Sequence, residues 1–340
     1  MRIRFLTSTP LDIRQGSGTY VGIHVLARAL TTLGHTVEFE TPTVILKVYT
    51  AQRLLFNRSL RPKPEFDLTV GFDMDGYRIA RAPHHIASLK GVIADEVRFE
   101  SGMTAVTMGL QARCERKHVQ RASRVIVTSR YSAAQAQKFY SLAESPVVVP
   151  ELIELPHWRD LLAQHPASST RFTVLSVGRF YFRKRLNILL RAAALLRSRI
   201  PELEVRIVGN GPCNDIWRRL STELKLDGTV TWLGDVSRPQ LVAEYNRASM
   251  FCLPSVQEGF GIVLLEAMAA GKPIVASRAA AIPEVAPCGV LVEPDNPEAL
   301  ATGIEEVYRS CDRGLADAGW VEQFDAQRVA QLFLQAVSGC

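Results

Sequence analysis

The sequence predicts two doubly wound α/β domains in series. Three observations carry that expectation: 340 residues are more than one ordinary core fills; short β-branched runs alternate with amphipathic helical stretches; and the alternation lapses once, near residues 151–169, then begins again.

IRFLT (3–7) reads as the first strand, followed by a polar, glycine-containing loop, STPLDIRQGSG. TYVGIHVLARALTTLG is an amphipathic helix with Leu26, Leu30 and Leu33 on one face, stopped at Gly34. TVEFE, FDLTVGF, HIASL, RVIVTS and PVVVP read as further strands, with helical patterns between several of them. Such alternation implies a parallel sheet with crossover connections. The Pro-, His- and Ser-containing stretch 151–169 reads as a linker. A second series follows: FTVLSVGR, LNILLRAAALLRSR, LEVRIVGNG, IWRRLSTELK, TVTWLG, RPQLVAEYNRAS, MFCLPS and PIVAS, with helices near 297–309 and 324–337. The expected domains are residues 1–160 and 161–322, with 323–340 a helix packing back toward the first. Ligands bind at the C-terminal ends of strands in such sheets, so a cleft between the domains is expected.

Composition narrows the classes. With 47% hydrophobic and 22% charged residues the chain reads as globular. No apolar run reaches the ~18 residues of a membrane span, and the start lacks a signal-peptide pattern. Six scattered cysteines without metal-ligand spacing favour free thiols in a reducing cytoplasm. Residues 1–150 hold 20 Lys/Arg against 12 Asp/Glu, and the remainder 20 against 22. A basic first half faces either something anionic (a membrane surface, a phosphorylated small molecule, nucleic acid) or merely solvent.

Two motifs mislead. QGSGTYV followed by Glu38 and Glu40 resembles a dinucleotide fingerprint, but Val21 stands at the third glycine and the glycines come too late after the strand. Asp73 and Asp75 in GFDMDG form a D-x-D that could hold a divalent metal, although Asp–Gly is also ordinary turn chemistry.

Three stretches of the second half fit together. VGRFYFRKR sets Arg179, Arg183, Lys184 and Arg185 at a strand end, where cations disfavour a helix start unless an anion is present. VGNGP (208–212) is a glycine loop, with Gly209, Asn210 and Gly211, that permits close approach. SVQEGFGIVLLEAMAAG (255–271) places Glu258 ahead of a helix start at Gly259, Phe260 and Gly261, and Glu266 inside an otherwise apolar helix. That helix N-terminus suits a pyrophosphate, and the flanking carboxylates suit hydroxyls.

These residues resemble a known family. EGFGIVLLEAMAAGKPIVAS is similar to the glutamate–seven–glutamate motif of the retaining GT-B glycosyltransferases of family 4, the glycosyl transferases group 1. GSGTYVGIHVLARALTTLGHTVEF, RASRVIVTSRYSA, VGRFYFRK, IVGNGP, VTWLGDV, FCLPSVQEGFG and IPEV with GVLVEPDNPEAL follow in family order over nearly the whole chain. The resemblance implies a GT-B fold, two Rossmann-like domains facing each other across a cleft. It implies a hexosyltransferase with a UDP-, GDP- or ADP-linked sugar donor, no cofactor, no metal and no nucleic acid. Glu266 would hold the ribose diol and Glu258 the donor sugar, while Arg179 and Lys184 would clamp the diphosphate, met by backbone amides of Gly259, Phe260 and Gly261. Gly16 and Gly18 would approach from the other domain. Retention by front-face attack, with the leaving phosphate accepting the acceptor's proton, needs no enzymic nucleophile. Where the family has a histidine near the reacting carbon, HHIASLKGVIADE offers Lys90, either a donor contact or a plain surface residue. Arg185 replaces a family glycine, and Ala279, Ala280 and Ala281 replace a glycine pair.

KVYTAQRLLFNRSLRPK (47–63) can be drawn as a basic amphipathic helix that either docks on the anionic inner face of a membrane or packs on its own domain. The acceptor, a small molecule, glycan or lipid-linked group, is left open, and a non-catalytic nucleotide-sugar- or partner-binding relative is the alternative.

Overall fold

The computed structural model describes every residue except 10–17, 47, 311–318 and 339–340. The chain divides into two compact units, Met1–Leu152 with Ala326–Cys340, and Ile153–Asp325.

The first unit runs β1 (Arg2–Leu6), α1 (Gly18–Thr32), β2 (Thr36–Glu40), α2 (Tyr49–Ser59), β3 (Leu68–Phe72), β4 (His85–Leu89), α3 (Ile93–Glu96), α4 (Gly102–Val119), β5 (Arg124–Val127), α5 (Arg130–Tyr140) and β6 (Val147–Val148). Its strands form a parallel sheet in the order β2-β1-β3-β4-β5-β6. Strands β3 and β4 are buried at every position, as expected for central strands covered on both faces. Gly34, just past α1, has φ +85°, the left-handed conformation that ends a helix at glycine.

The second unit runs α6 (Leu155–Gln164), β7 (Phe172–Val177), α7 (Leu186–Leu196), β8 (Leu203–Val208), α8 (Asn214–Glu223), β9 (Val230–Gly234), α9 (Arg238–Arg247), β10 (Met250–Leu253), α10 (Ile262–Ala269), β11 (Ile274–Ser277), α11 (Ile282–Val285), β12 (Val290–Val292) and α12 (Pro297–Arg309). The last helix, α13 (Ala326–Val337), belongs to the first unit, where Val329, Ala330 and Phe333 enter the core beside α1. The second sheet is parallel, ordered β12-β11-β10-β7-β8-β9. Alternation along its strands splits the core into two layers. Val174, Cys252 and Val275 join one with α7 and α12; their neighbours Leu175, Phe251 and Ile274 join the other with α10.

The stretch read as a linker is structured: α6 begins with Pro156 in its first turn and buries Leu155 and Trp158 in the second unit. Its apolar residues are too few to announce a helix, but each is placed on the packed face. Of the 47–63 helix, α2 buries Gln52, Arg53, Phe56 and Asn57 within its own unit, whereas Val48 and Leu55 stay exposed. Among the described residues no helix is long and apolar enough to cross a membrane.

Candidate functional site

In the second sheet the chain runs outward from β7 through β8 to β9, then returns to set β10 against the other side of β7. The gap between β7 and β10 is the topological switch point, where open α/β sheets bind ligands outside the strand ends. The loops leaving these strands carry Gly178–Arg179–Phe180 and Pro254–Ser255, which line one cavity with Lys184.

Lys184 Nζ donates to Glu258 Oε1 at 2.6 Å, with side chains 18% and 9% exposed. The loop carrying Glu258 is tied to the Lys184 turn by Val256 N–H donating to Arg183 O at 2.9 Å. Arg179 stays near the surface, its guanidinium 4.0 Å from Asp235 beyond β9. Gly261, at φ +94°, starts α10, whose first intrahelical bond runs from Leu264 N–H to Gly261 O at 2.9 Å. The preceding amides therefore head the helix at its positive end. Phe260 points inward, edge-to-face on Phe324 with centroids 5.5 Å apart, so its backbone is what faces the loop side. Ser255 Oγ is buried and has no hydrogen-bond partner among the described residues, the kind of group that a ligand or water satisfies.

Glu266 sits in a built polar pocket. Arg238 Nη1 donates to Oε1 at 3.2 Å, and Tyr245 OH donates to Oε2 at 3.0 Å. The Arg238 guanidinium lies 4.1 Å above the Trp158 ring, and Trp158 Nε1 donates to the Glu266 carbonyl at 3.2 Å. Burial pushes the Glu266 carboxyl above its ordinary range, opposed by the Arg238 charge and by both hydrogen bonds. Arg238 and Tyr245 escaped the sequence reading; their seven-residue spacing on α9, two turns along one face, is the signal that could have found them.

The glycine loop after β8 packs closely on the loop after β7. A Cβ on Gly211 would lie 2.6 Å from Phe180 N, and one on Gly209, at φ +121°, 2.0 Å from Gly178 O. The close approach these glycines permit is to the β7 loop, which they lock through Phe180 N–H to Asn210 O at 2.9 Å. Arg185, in place of the family glycine, adopts the left-handed conformation at φ 50°; its guanidinium meets Asp295 at 2.5 Å. Ala280, within the alanine run, likewise has φ 51°.

In the first unit the expectations fare differently. Gly16 lies outside the described residues, and Gly18 opens α1. Lys90 is not a plain surface residue: its Nζ lies 3.0 Å from both Glu151 oxygens, with side chains 6% and 3% exposed. Gly22 makes room for that pair, since a Cβ there would fall 2.1 Å from Glu151 Oε2. Both carboxylates of the D-x-D pair are hydrogen-bonded within the first unit. Asp75 Oδ2 accepts from Ser8 N–H at 2.7 Å and Ser8 Oγ at 2.6 Å, and Oδ1 accepts from Asn57 at 2.9 Å. Asp73, at φ 53°, accepts from the Lys90 backbone at 2.9 Å. Among the described residues no cluster of three His, Cys, Asp or Glu is placed to hold a metal ion.

Residues 159–313 match the family described as glycosyl transferases group 1. A D-inositol 3-phosphate glycosyltransferase of Pseudarthrobacter chlorophenolicus is 29% identical over 241 residues, 65% of this chain and 57% of that protein. A GDP-mannose-dependent alpha-(1-6)-phosphatidylinositol monomannoside mannosyltransferase of Mycolicibacterium smegmatis is 28% identical over 48% of this chain and 47% of its own. The chain thus spans little more than half the length of the first curated relative and under half of the second. Among solved structures, the sucrose-phosphate synthase of Thermosynechococcus elongatus superposes with TM-score 0.81 at 22% identity, covering 100% of both chains. HepE of Anabaena in complex with UDP-glucose superposes with TM-score 0.72 at 21% identity, again over 100% of both. Fold, ordered motifs and family match agree: the chain has the GT-B fold, and its residues 159–313 match the group 1 glycosyltransferases.

Proposed function

We propose that this chain transfers a hexose from a nucleotide diphosphate sugar to an acceptor with retention of configuration and without a metal ion. The observation carrying the reading is the switch-point site of the second unit, where Arg179 and Lys184 line a cavity with Ser255 and Lys184 pairs with Glu258, just ahead of the N-terminal end of the helix that carries Glu266. Lys184, Arg179 and the amides around Gly259–Gly261 offset the diphosphate charge, in place of a divalent cation. Glu266 accepts from the ribose diol with the lone pairs that Arg238 and Tyr245 leave open. Glu258 accepts from the sugar once Lys184 turns its charge toward phosphate. In the transfer the glycosidic C–O bond to the diphosphate breaks as the acceptor oxygen bonds to the same carbon from the same face. The acceptor's proton passes to the departing phosphate oxygen. The relatives' printed names, a GDP-mannose-dependent enzyme and a complex with UDP-glucose, support UDP and GDP as the first donors to try. Buried free thiols at Cys114, Cys213 and Cys252 support a reducing cytoplasmic setting.

One observation favours a second, binding-only reading: Lys90, at the place of the family's histidine, is sequestered by Glu151. Turnover separates the two. UDP-, GDP- and ADP-sugars are incubated with the protein, with and without EDTA, and donor hydrolysis is followed. Hydrolysis that survives EDTA and is lost in Glu266→Ala, with nucleotide binding weakened by about 1.5–3 kcal/mol, supports transfer. Binding without turnover across donors and acceptors supports the second reading, and unchanged binding in a folded Glu266→Ala overturns both.

A further inference from the structure

Most of the large apolar side chains that the structure leaves in solvent fall in two stretches of the first unit, 44–55 and 103–110. The first half of α4 is the clearer. Met103, Val106 and Leu110 stand at i, i+3 and i+7, on one helix face, and are 75%, 67% and 41% exposed. Among the described residues nothing covers them, and the first residue of this helix to be buried is Gln111. Continuing the same stripe at i+10 and i+14 come Arg113 and Lys117, both exposed. One line along α4 is thus apolar for two turns and cationic for the next two.

The second stretch adjoins the first. Gln111 Nε2 donates to Thr50 Oγ1 at 2.7 Å, and Arg53 Nη1 donates to Gln111 Oε1 at 2.9 Å. These bonds set Leu110 beside the start of α2, where Ile45 is 85%, Val48 60% and Leu55 48% exposed. Arg58 is exposed at the far end of α2. Residues 41–64 and 101–114 contain no aspartate or glutamate, and the next acid along α4, Glu115, is fully buried. A contiguous apolar patch is unusual on a monomer's surface, and one continued by Arg113 and Lys117 on α4 and by Arg58 on α2 has a definite complement.

We propose that this α2–α4 face docks on an anionic lipid bilayer, the apolar side chains entering the headgroup–acyl boundary and the cations meeting lipid phosphates. Apolar residues beside Lys and Arg on one surface are what interfacial binding needs. A second copy of the chain fits worse, because a two-fold contact would join two patches of the same net positive charge with no acid in either to offset it. The preference of cations for a helix C-terminus accounts for Arg116 and Lys117, but it does not account for an uncharged, uncovered first half. The inference is independent of the donor assignment.

The test is co-sedimentation of the full chain with vesicles of phosphatidylcholine alone and of phosphatidylcholine with phosphatidylglycerol. The wild type is expected to partition at least about tenfold more strongly onto the anionic vesicles, and to release as salt rises past the range where exposed charges are screened. Val106→Asp/Leu110→Asp and, separately, Arg113→Glu/Lys117→Glu each reduce that partitioning at least about tenfold. Both keep the wild-type melting temperature and UDP affinity, which report on folding and on the second unit. Ile216→Asp, an equally exposed apolar residue on α8, leaves partitioning unchanged. Equal binding to both vesicle types, no binding, or double variants that bind like wild type overturn the proposal. So does light scattering that finds a wild-type dimer dissociated by Val106→Asp/Leu110→Asp.

Discussion

Replacing Arg238 by Met tests whether the α9 arginine keeps Glu266 charged. Methionine retains an apolar stem against Trp158 but removes the guanidinium 3.2 Å from Oε1. A hydrogen bond to a charged group is worth about 1.5–3 kcal/mol. Because the Arg238 side chain is 28% exposed, solvent screens part of this and about 1 kcal/mol is the expected loss. The sign depends on pH. Burial already raises the folded Glu266 carboxyl above its unfolded value, so ionising it costs stability as pH climbs from the ordinary carboxylate range through the raised one. Without Arg238 that cost grows. Arg238→Met is therefore close to wild type in melting temperature near about pH 4, where Glu266 is neutral in both proteins, and lower by roughly 2–4 °C near about pH 8. Calorimetric titration with UDP, if UDP is the nucleotide, shows weaker binding at each pH and a midpoint of its pH dependence moved upward. Melting scans and titrations at several pH values provide the check. A stability loss that is the same at both ends, with UDP affinity unchanged, refutes the idea that Arg238 acts through the Glu266 charge.

Three further outcomes are expected. Lys90→Met leaves the Glu151 carboxylate buried without its cation and lowers stability by about 3–5 kcal/mol in urea unfolding; adding Glu151→Leu recovers most of it, and a loss under about 1 kcal/mol contradicts the burial argument. Gly211→Ala drives a Cβ against the Phe180 backbone and weakens nucleotide binding, whereas Gly178→Ala, whose Cβ meets nothing within 4 Å, folds with wild-type stability; equal effects in thermal-shift assays would count against the loop lock. His118 Nδ1–H donates to Asp73 O at 2.6 Å and its Nε2 faces His85 Nε2 at 2.8 Å, so both rings are neutral, and burial lowers His118 to about 4. Its Cε1–H NMR shift should stay flat from neutral pH to near about 5, and the stability it contributes, complete above the unfolded imidazole value, is lost as pH falls toward the folded one. Asp73, pushed up to about 6 mainly by its burial, works in the opposite direction over part of that window, so the NMR shift and not the overall melting curve is the readout.

The strands were legible because a central parallel strand is a short β-branched run whatever surrounds it: LTVGF, HIASL, FTVLSV and LEVRIV are all strands of the two sheets. Helix α6 was missed because Trp158 acquires its partners from distant segments, Arg238 and Tyr245 on α9 and Glu266 on α10. The three-residue β12 was missed because VLV inside a loop sequence has no period to detect, and it is held by pairing with β11. At the site, Glu258, Glu266, Arg179 and Lys184 could be named from type and spacing, since a charge in an apolar helix or a cation cluster at a strand end needs a reason. Their mutual contacts could not.

What the sequence determined by itself was the chemistry available: a helix start flanked by two carboxylates, cations at a strand end, glycines where chains must approach closely. These follow from local rules of periodicity, propensity and solvation. The tertiary structure decided what each group faces. It turned Lys90 onto Glu151 under Gly22 and set Asp75 against Ser8 and Asn57. It brought Arg238, Tyr245 and Trp158 to Glu266 from segments 21 to 108 residues away. Such contacts are set by the crossing of helices over a sheet, and the partner of a buried charge is whichever group the packing delivers to it.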